Sequence, residues 1–237
     1  MKIISWNVRG LGGFEKRKKV RKLVGEKKPL LMCLQKTKLM QIDDYVCASL
    51  WGNSSHGYFY RPSVGASDGL LILWDTEEVE ILSSYSFDFM LTVRGKFVKS
   101  NEDFVLFNVY APCGIVAQQV LWRVLTDRLA SVDGLNICVC GDFNAMRGEE
   151  ERRSSTILSR VVGINAFNTF IDNTSLVDLP FVGRRFTWYR GDGHSMSRID
   201  RFLLSEDWCL RWWTMIGKSL GLIGGPSVWT RRLVVWG

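Results

Sequence analysis

A chain of 237 residues with 46% hydrophobic and 23% charged side chains is not a disordered tail, and its length fits one large α/β domain better than two small ones. A domain of this size hides roughly 70% of its unfolded surface, so a sizeable core is available without disulfides or metal staples. The formal net charge of +7 decides nothing about the fold but suits a polyanionic partner.

Residues 1–8 (MKIISWNV) read as a first strand, which Arg9-Gly10-Leu11-Gly12-Gly13 then breaks. The apolar run is too short for a secretory signal, and no stretch approaches the ~20 apolar residues of a membrane span, so a reduced intracellular compartment, nuclear or cytoplasmic, is expected. Residues 16–26 read as a helix with Val20, Leu23 and Val24 on one face, ended by Pro29. Its other faces crowd Lys16, Arg17, Lys18, Lys19, Arg21 and Lys22 together; this is either an ordinary solvated face or a contact with nucleic-acid backbone. Residues 30–34, 69–75 and 104–110 read as apolar strands, 116–129 as a helix, and 135–140 as a strand running into Gly141-Asp142-Phe143-Asn144. A helix over 164–173 and strands over 186–189 and 199–204 follow.

Six cysteines (Cys33, Cys47, Cys113, Cys138, Cys140, Cys209) show no C-x-x-C spacing, so no zinc site is expected. Cys138 and Cys140 lie two apart in a strand and share a face as small hydrophobes. His56 falls in a polar loop (Asn53-Ser54-Ser55-His56-Gly57) and His194 in a turn (Gly191-Asp192-Gly193-His194). The mixed element order predicts layered sheets flanked by helices. Polar Asn7, Tyr110, Asp142 and Asn144 stand at predicted strand ends, where carboxylate and amide oxygens make a Mg²⁺ site at the mouth of a sheet conceivable.

Six motifs recur in a meaningful order: Ser5-Trp6-Asn7-Val8-Arg9-Gly10, Leu34-Gln35-Lys36-Thr37-Lys38, Gly65-Ala66-Ser67-Asp68-Gly69-Leu70, Asn108-Val109-Tyr110-Ala111-Pro112, Gly141-Asp142-Phe143-Asn144 and Ser197-Arg198-Ile199-Asp200-Arg201-Phe202. Together they resemble the endonuclease/exonuclease/phosphatase superfamily over about residues 1–215. The W-N-V-R-G-L opening and the pairing of Phe186-Thr187-Trp188 with Arg198-Ile199-Asp200-Arg201 resemble its plant LINE-type retrotransposon branch. The resemblance implies a DNase I-like four-layered α/β sandwich and phosphodiester hydrolysis with Mg²⁺ or Mn²⁺. It also implies DNA as partner, no small-molecule cofactor, and a monomer that can be a fragment of a reverse-transcriptase polyprotein. By the same resemblance Asn7 orients carboxylates near the metal, Tyr110 contacts the scissile phosphate, Asp142 positions the attacking water, Asn144 donates to the phosphate and Asp200 orients a histidine. Asn7 and Asp142 are the implied metal residues, and Arg9, Lys16, Lys18, Lys19 and Lys22 the implied nucleic-acid contacts.

Two departures from the pattern matter most. Where the family has L-Q-E-T-K, whose glutamate is the principal metal ligand, this chain has Lys36. An ammonium repels a divalent cation; it is expected either to pair with Asp142 or to reach solvent. The closing S-D-H-x-P motif is absent, and from about Gly217 the sequence loses the pattern, so residues 1–216 are expected as the domain and 217–237 as a divergent tail, either frameshifted or of its own design. Asp68 stands where the family has a second glycine. The expected outcome is a metal-dependent DNA endonuclease by descent that no longer cuts. A non-catalytic nucleic-acid-binding remnant and a phosphatase-like relative acting on a small phosphoester are the alternatives.

Overall fold

The computed structural model describes residues 2–64, 69–153, 161–181, 185–191, 194–211 and 233–236. The expectations for Asp68 and for most of the tail beyond Gly217 lie outside the described residues.

The first half of the chain runs β1 (Ile3–Asn7), α1 (Phe14–Lys27), β2 (Leu31–Gln35), α2 (Asp44–Trp51), β3 (His56–Arg61), β4 (Leu70–Asp75), β5 (Val79–Phe87), β6 (Met90–Phe97) and β7 (Glu102–Tyr110). The second half runs α3 (Ile115–Ala130), β8 (Asn136–Asp142), a 3₁₀ turn at Glu149–Glu151, β9 (Arg152–Arg153), α4 (Val161–Thr174), β10 (Leu176–Asp178), β11 (Trp188–Tyr189), β12 (Met196–Ser197), β13 (Asp200–Ser205) and β14 (Leu233–Trp236). His56 therefore opens β3 instead of lying in a loop: the polar run before it ends one residue earlier, and His56-Gly57-Tyr58 joins the β4 ladder.

Two mixed sheets form. One has the order β14-β1-β2-β4-β3 and the other β10-β13-β8-β7-β6-β5, with a small third sheet, β11-β12-β9, at the side. Strand periodicity sorts the side chains into three apolar layers. Ile3, Leu31, Cys33, Leu70, Leu106, Cys138, Cys140 and Phe202 meet between the sheets. Ile4, Met32, Leu34 and Leu71 point the other way, against Val20, Leu23 and Val24 of α1 and Val46, Cys47 and Leu50 of α2. Val105, Phe107, Val139 and Leu203 pack against Leu121, Trp122 and Leu125 of α3 and Phe167, Phe170 and Ile171 of α4. The result is the four-layered α/β sandwich expected from the sequence: helices, sheet, sheet, helices.

Local chemistry sets the boundaries. α1 ends at Lys28, left-handed at φ 48°, whose N–H donates to the Val24 carbonyl, and Pro29 cannot continue the helix. α2 starts where the Asp43 carboxylate accepts from the Val46 N–H. β8 is buried along its whole length because β7 and β13 flank it on both sides, which is why it reads as a continuous apolar run. β14, inside the segment expected as a tail, pairs in parallel with β1 from Ile3 opposite Leu233 to Trp6 opposite Trp236.

Candidate functional site

The inter-sheet layer is apolar through most of its depth and turns polar at one end. Along β1 the inward residues run Ile3, Ser5, Asn7; along β2, Leu31, Cys33, Gln35. Facing them are Leu106, Asn108 and Tyr110 on β7, Cys138, Cys140 and Asp142 on β8, and Phe202 and Asp200 on β13. Backbone pairing fixes this row: Asn7 lies opposite Gln35, Tyr110 opposite Asp142, and Asp142 opposite Asp200.

The two sheets are joined just beneath the row. The Gln35 amide donates to Asn108 Oδ1 at 2.7 Å and to Ser5 Oγ at 3.0 Å. The Asn108 amide in turn donates to the carbonyls of Leu34 and Leu71, at 3.2 and 3.1 Å. All are buried, so these bonds satisfy the amide N–H groups of Gln35 and Asn108 and fix the offset between the sheets, while Gln35 Oε1 has no hydrogen-bond partner among the described residues. Gln35 and Asn108 stand in the sequence motifs without an assigned role, and their partners, 73 residues apart, are not readable from spacing.

Asp142 sits at the centre. Asn7 Nδ2 donates to its Oδ2 at 2.7 Å, and the Asn144 N–H donates to its Oδ1 at 3.0 Å. The second bond is an Asx turn, so the carboxylate also shapes the loop that follows it. Gly141 makes this possible: its φ of 138° is one that other residues avoid, and a Cβ there would run into the Val109 carbonyl. Asn144, itself left-handed at φ 47°, donates from Nδ2 to the Ala111 carbonyl at 2.7 Å, and Gln118 of α3 donates to the Asn144 carbonyl at 2.9 Å. A cavity of about 300 Å³ opens beside this loop, lined by Cys113, Ile115, Gln118, Asn144, Met146 and Ile164.

Burial pushes the Asp142 carboxyl up to about 6, against the hydrogen bonds from Asn144 and Asn7 and the charges of Lys36 and Arg9. Asp200 is raised well above the usual carboxylate range, first by burial and then by the Asp142 charge. Thr187 holds the start of β13 in place: its Oγ1 accepts from the N–H groups of Ile199 and Asp200, both at 3.1 Å. Asn7 Oδ1 and Asp200 Oδ1 are buried without a hydrogen-bond partner among the described residues.

Two cations border the cluster. Lys36 follows β2 in a left-handed conformation, φ 58°, and its Nζ lies 5.7 Å from the centre of the Tyr110 ring. It is half-buried and, among the described residues, makes no ion pair. It thus neither binds Asp142 directly nor runs out to solvent, although its charge reaches Asp142. Arg9 is exposed at the end of β1, and its charge reaches Asp142, Asp200 and Lys16. Lys16 packs its ammonium 5.6 Å from the Trp6 ring, where burial, then Lys19 and Arg9, lower its pKa. Lys18 and Lys19 stand exposed on α1, and Lys22 is paired with Glu26 at 3.8 Å.

Beside the cluster lies a buried ionic quartet that sequence reading did not foresee. Arg198 donates to Glu151 at 2.9 Å and to Asp178 at 2.8 Å. Arg201, fully buried, donates to Asp178 at 2.6 Å and to both carboxylate oxygens of Glu151. Two arginines and two carboxylates balance, and they tie the 3₁₀ turn and β10 to β13, whose first residue is Asp200.

The arrangement does not fit the divalent metal that the motif resemblance implies. Mg²⁺ demands six oxygens in near-octahedral geometry. Here the implied glutamate position carries an ammonium, and Arg9 adds a second positive charge within reach of Asp142. Among the described residues no three His, Cys, Asp or Glu side chains come close enough together to hold a metal. The position of His56 is equally unhelpful: Arg61, at the other end of β3, aligns with Leu70 and Gln35 of the polar row, so His56 lies about 17 Å down the strand. His194 lies in the turn before β12, part of which is outside the described residues.

Comparison with known proteins gives a consistent picture. A family model described as Endonuclease/Exonuclease/phosphatase family matches residues 4–221. An AP endonuclease from Archaeoglobus fulgidus superposes with a TM-score of 0.68 at 18% identity, covering 87% of this chain and 87% of that one. The AP endonuclease of Leishmania major gives 0.68 at 16% identity, covering 86% and 79%. A mannosyl-6-phosphatase of Bacteroides thetaiotaomicron gives 0.61 at 16% identity, covering 87% and 85%. No curated protein matches in sequence. Among the described residues no helix is long and apolar enough to cross a membrane.

Proposed function

Because this chain belongs to the endonuclease/exonuclease/phosphatase family, we propose that it is a nucleic-acid-binding member, derived from a plant LINE-type DNA endonuclease, that has lost phosphodiester hydrolysis. The carrying observation is Lys36, half-buried over the Tyr110 ring within electrostatic reach of Asp142, at the position where the motif resemblance implies the main metal-binding glutamate. A phosphodiester transition state gathers negative charge on its oxygens, which a metal and preorganised donors normally stabilise. With the ligand replaced and no histidine in the S-D-H-x-P context, both supports are missing. Each such support is worth about 10²–10³ in rate, so the combined loss is roughly four to six orders of magnitude. Asn7, Asn144, Tyr110 and Asp142 keep the polar shape of a phosphate site, and Arg9 and α1 supply the positive approach to it.

The test is plasmid nicking with Mg²⁺ or Mn²⁺. The chain is expected to leave supercoiled DNA intact above background, and Lys36→Glu alone is expected to recover little, because the histidine is still absent. Robust Mg²⁺-dependent nicking by the unaltered chain, abolished by Asp142→Ala, overturns the reading.

A further inference from the structure

Resting on that reading, we propose that the cluster around Lys36 is a metal-independent phosphodiester site, in which the Lys36 ammonium takes the electrostatic place of a divalent cation. The disagreement between the residues and a metal is the starting point. Lys36, Arg9, Asp142 and Asp200 are two cations and two carboxylates whose formal charges cancel. A carboxylate at position 36 would leave two negative charges in excess, the amount a divalent cation neutralises. With lysine there, the cluster holds no excess negative charge for a metal to neutralise, and an incoming phosphodiester has the donors of Lys36 and Arg9 to meet it.

The cations are available. Among the described residues neither Lys36 nor Arg9 makes an ion pair. Lys36 is held in place by its left-handed backbone and the Tyr110 ring rather than by a carboxylate. An ammonium offers three donors, and stacking on a ring consumes none of them. Asn144 spends one amide N–H on the Ala111 carbonyl and has a second one left. Donors of this kind suit a phosphate oxygen.

The surroundings select a polymer. The charge of Arg9 acts on Asp142 and Asp200 on one side and on Lys16 on the other. Positive charge therefore continues from the cluster through Arg9 to α1, with exposed Lys18 and Lys19 farther along. A free phosphate would use only the cluster; a nucleic-acid strand would use both.

The experiment is a ³¹P NMR titration of thymidylyl-(3′→5′)-thymidine with the full chain in excess EDTA, beside an identical titration of inorganic phosphate. The dinucleotide carries a single phosphodiester and so reports on one phosphate site rather than on a path along α1. The diester resonance is expected to shift in EDTA. Lys36→Met should weaken binding by roughly ten- to a hundredfold, the worth of one charge-assisted hydrogen bond. Lys36→Arg should retain it, which separates lost charge from lost structure, and Lys36→Glu should bind only when Mg²⁺ is supplied. No shift in EDTA, or equal binding by the parent and a folded Lys36→Met chain, overturns the proposal. Inorganic phosphate binding as well as the diester overturns the assignment to nucleic acid. Plasmid nicking would sink the loss of hydrolysis instead, since the titration of the parent chain contains no metal; a chain that binds long DNA but not the dinucleotide would leave that reading standing and sink this one.

Discussion

Replacing Glu151 by alanine leaves two buried arginines sharing the single carboxylate of Asp178. Glu151 accepts from Arg147 N–H at 2.7 Å, from Arg198 at 2.9 Å and from both terminal nitrogens of Arg201. The Arg201 side chain is 0% exposed and that of Arg198 17%, so one positive charge is stranded with little water to solvate it. Removing one partner of a buried ion pair costs about 3–5 kcal/mol. The partial exposure of Arg198 places the expected loss toward the lower part of that range. For a domain of this length each kcal/mol moves the melting temperature by roughly 2–4 °C, so a drop of about 6–16 °C is expected in thermal melts at pH 7. Urea titration should show the midpoint falling at constant slope. Lys99→Ala, which breaks the exposed pair with Glu78, is the control and should stay within about 1 kcal/mol of the parent. A Glu151→Ala loss no larger than that of the control would refute the view that the quartet holds β13, and with it Asp200, in place.

Three other outcomes follow from the geometry. Gly141→Ala forces a Cβ toward the Val109 carbonyl at φ 138° and should destabilise by at least about 2 kcal/mol in the same melts, whereas Gly12→Ala, which meets open space, should not; equal effects would discount the tight approach of β8 to β7. Reversing Lys18, Lys19 and Lys22 to glutamate should make the salt dependence of duplex binding shallower by about 0.9 per lost phosphate contact, and an unchanged slope would mark α1 as an ordinary solvated face. Although burial alone would raise the Glu151 pKa, the Arg201 hydrogen bond and charge hold it below the usual carboxylate value. Its folded pKa thus lies below the unfolded value of about 4.3, so the stability it gives is present above that pH and is lost as pH falls through the folded pKa. Glu151→Gln should flatten the acid limb of the stability curve by up to about 1.4 kcal/mol per pH unit, and a limb of unchanged steepness would contradict the assignment.

Much of this molecule could be read from its sequence, and the rest failed for identifiable reasons. Strands buried on both faces, such as β8, and helices with one clear apolar stripe, such as α1 with Val20, Leu23 and Val24, announce themselves. β5 and β6 did not. In β5 (VEILSSYSF) one face is exposed and rich in serine, so its alternation is weak, and its register shifts between Ile81 and Ser83. β3 has no fully buried residue to signal a core strand. α2 is only eight residues long, although its Asp43 cap was in plain view. For the candidate site, the motifs named Asn7, Tyr110, Asp142, Asn144 and Asp200; strand pairing aligns Tyr110, Asp142 and Asp200 in one sheet, and hydrogen bonds to Asp142 bring in Asn7 from the other sheet and Asn144 from the following loop. What pairing alone could not reveal is chemistry that crosses the fold: Glu151 meets Arg201 across 50 residues of sequence, and Thr187 reaches Asp200 across 13.

The amide bridge from Gln35 to Asn108 has a dynamic corollary. Asn108 extends from one sheet to carbonyls of two strands in the other, so sliding the sheets by one residue, about 3.3 Å, would break every one of its bonds at once and leave buried amides without partners. The two sheets therefore open together or not at all. In native-state hydrogen exchange the amides of β2, β4 and β7 around this bridge should form one cooperative unit, exchanging only through global unfolding, while α2 and the 3₁₀ turn exchange through smaller openings. A ligand arriving at the polar row would meet walls already fixed in their final separation, and the ordering left to do on binding would fall on side chains such as Lys36 and Arg9 rather than on the sheets.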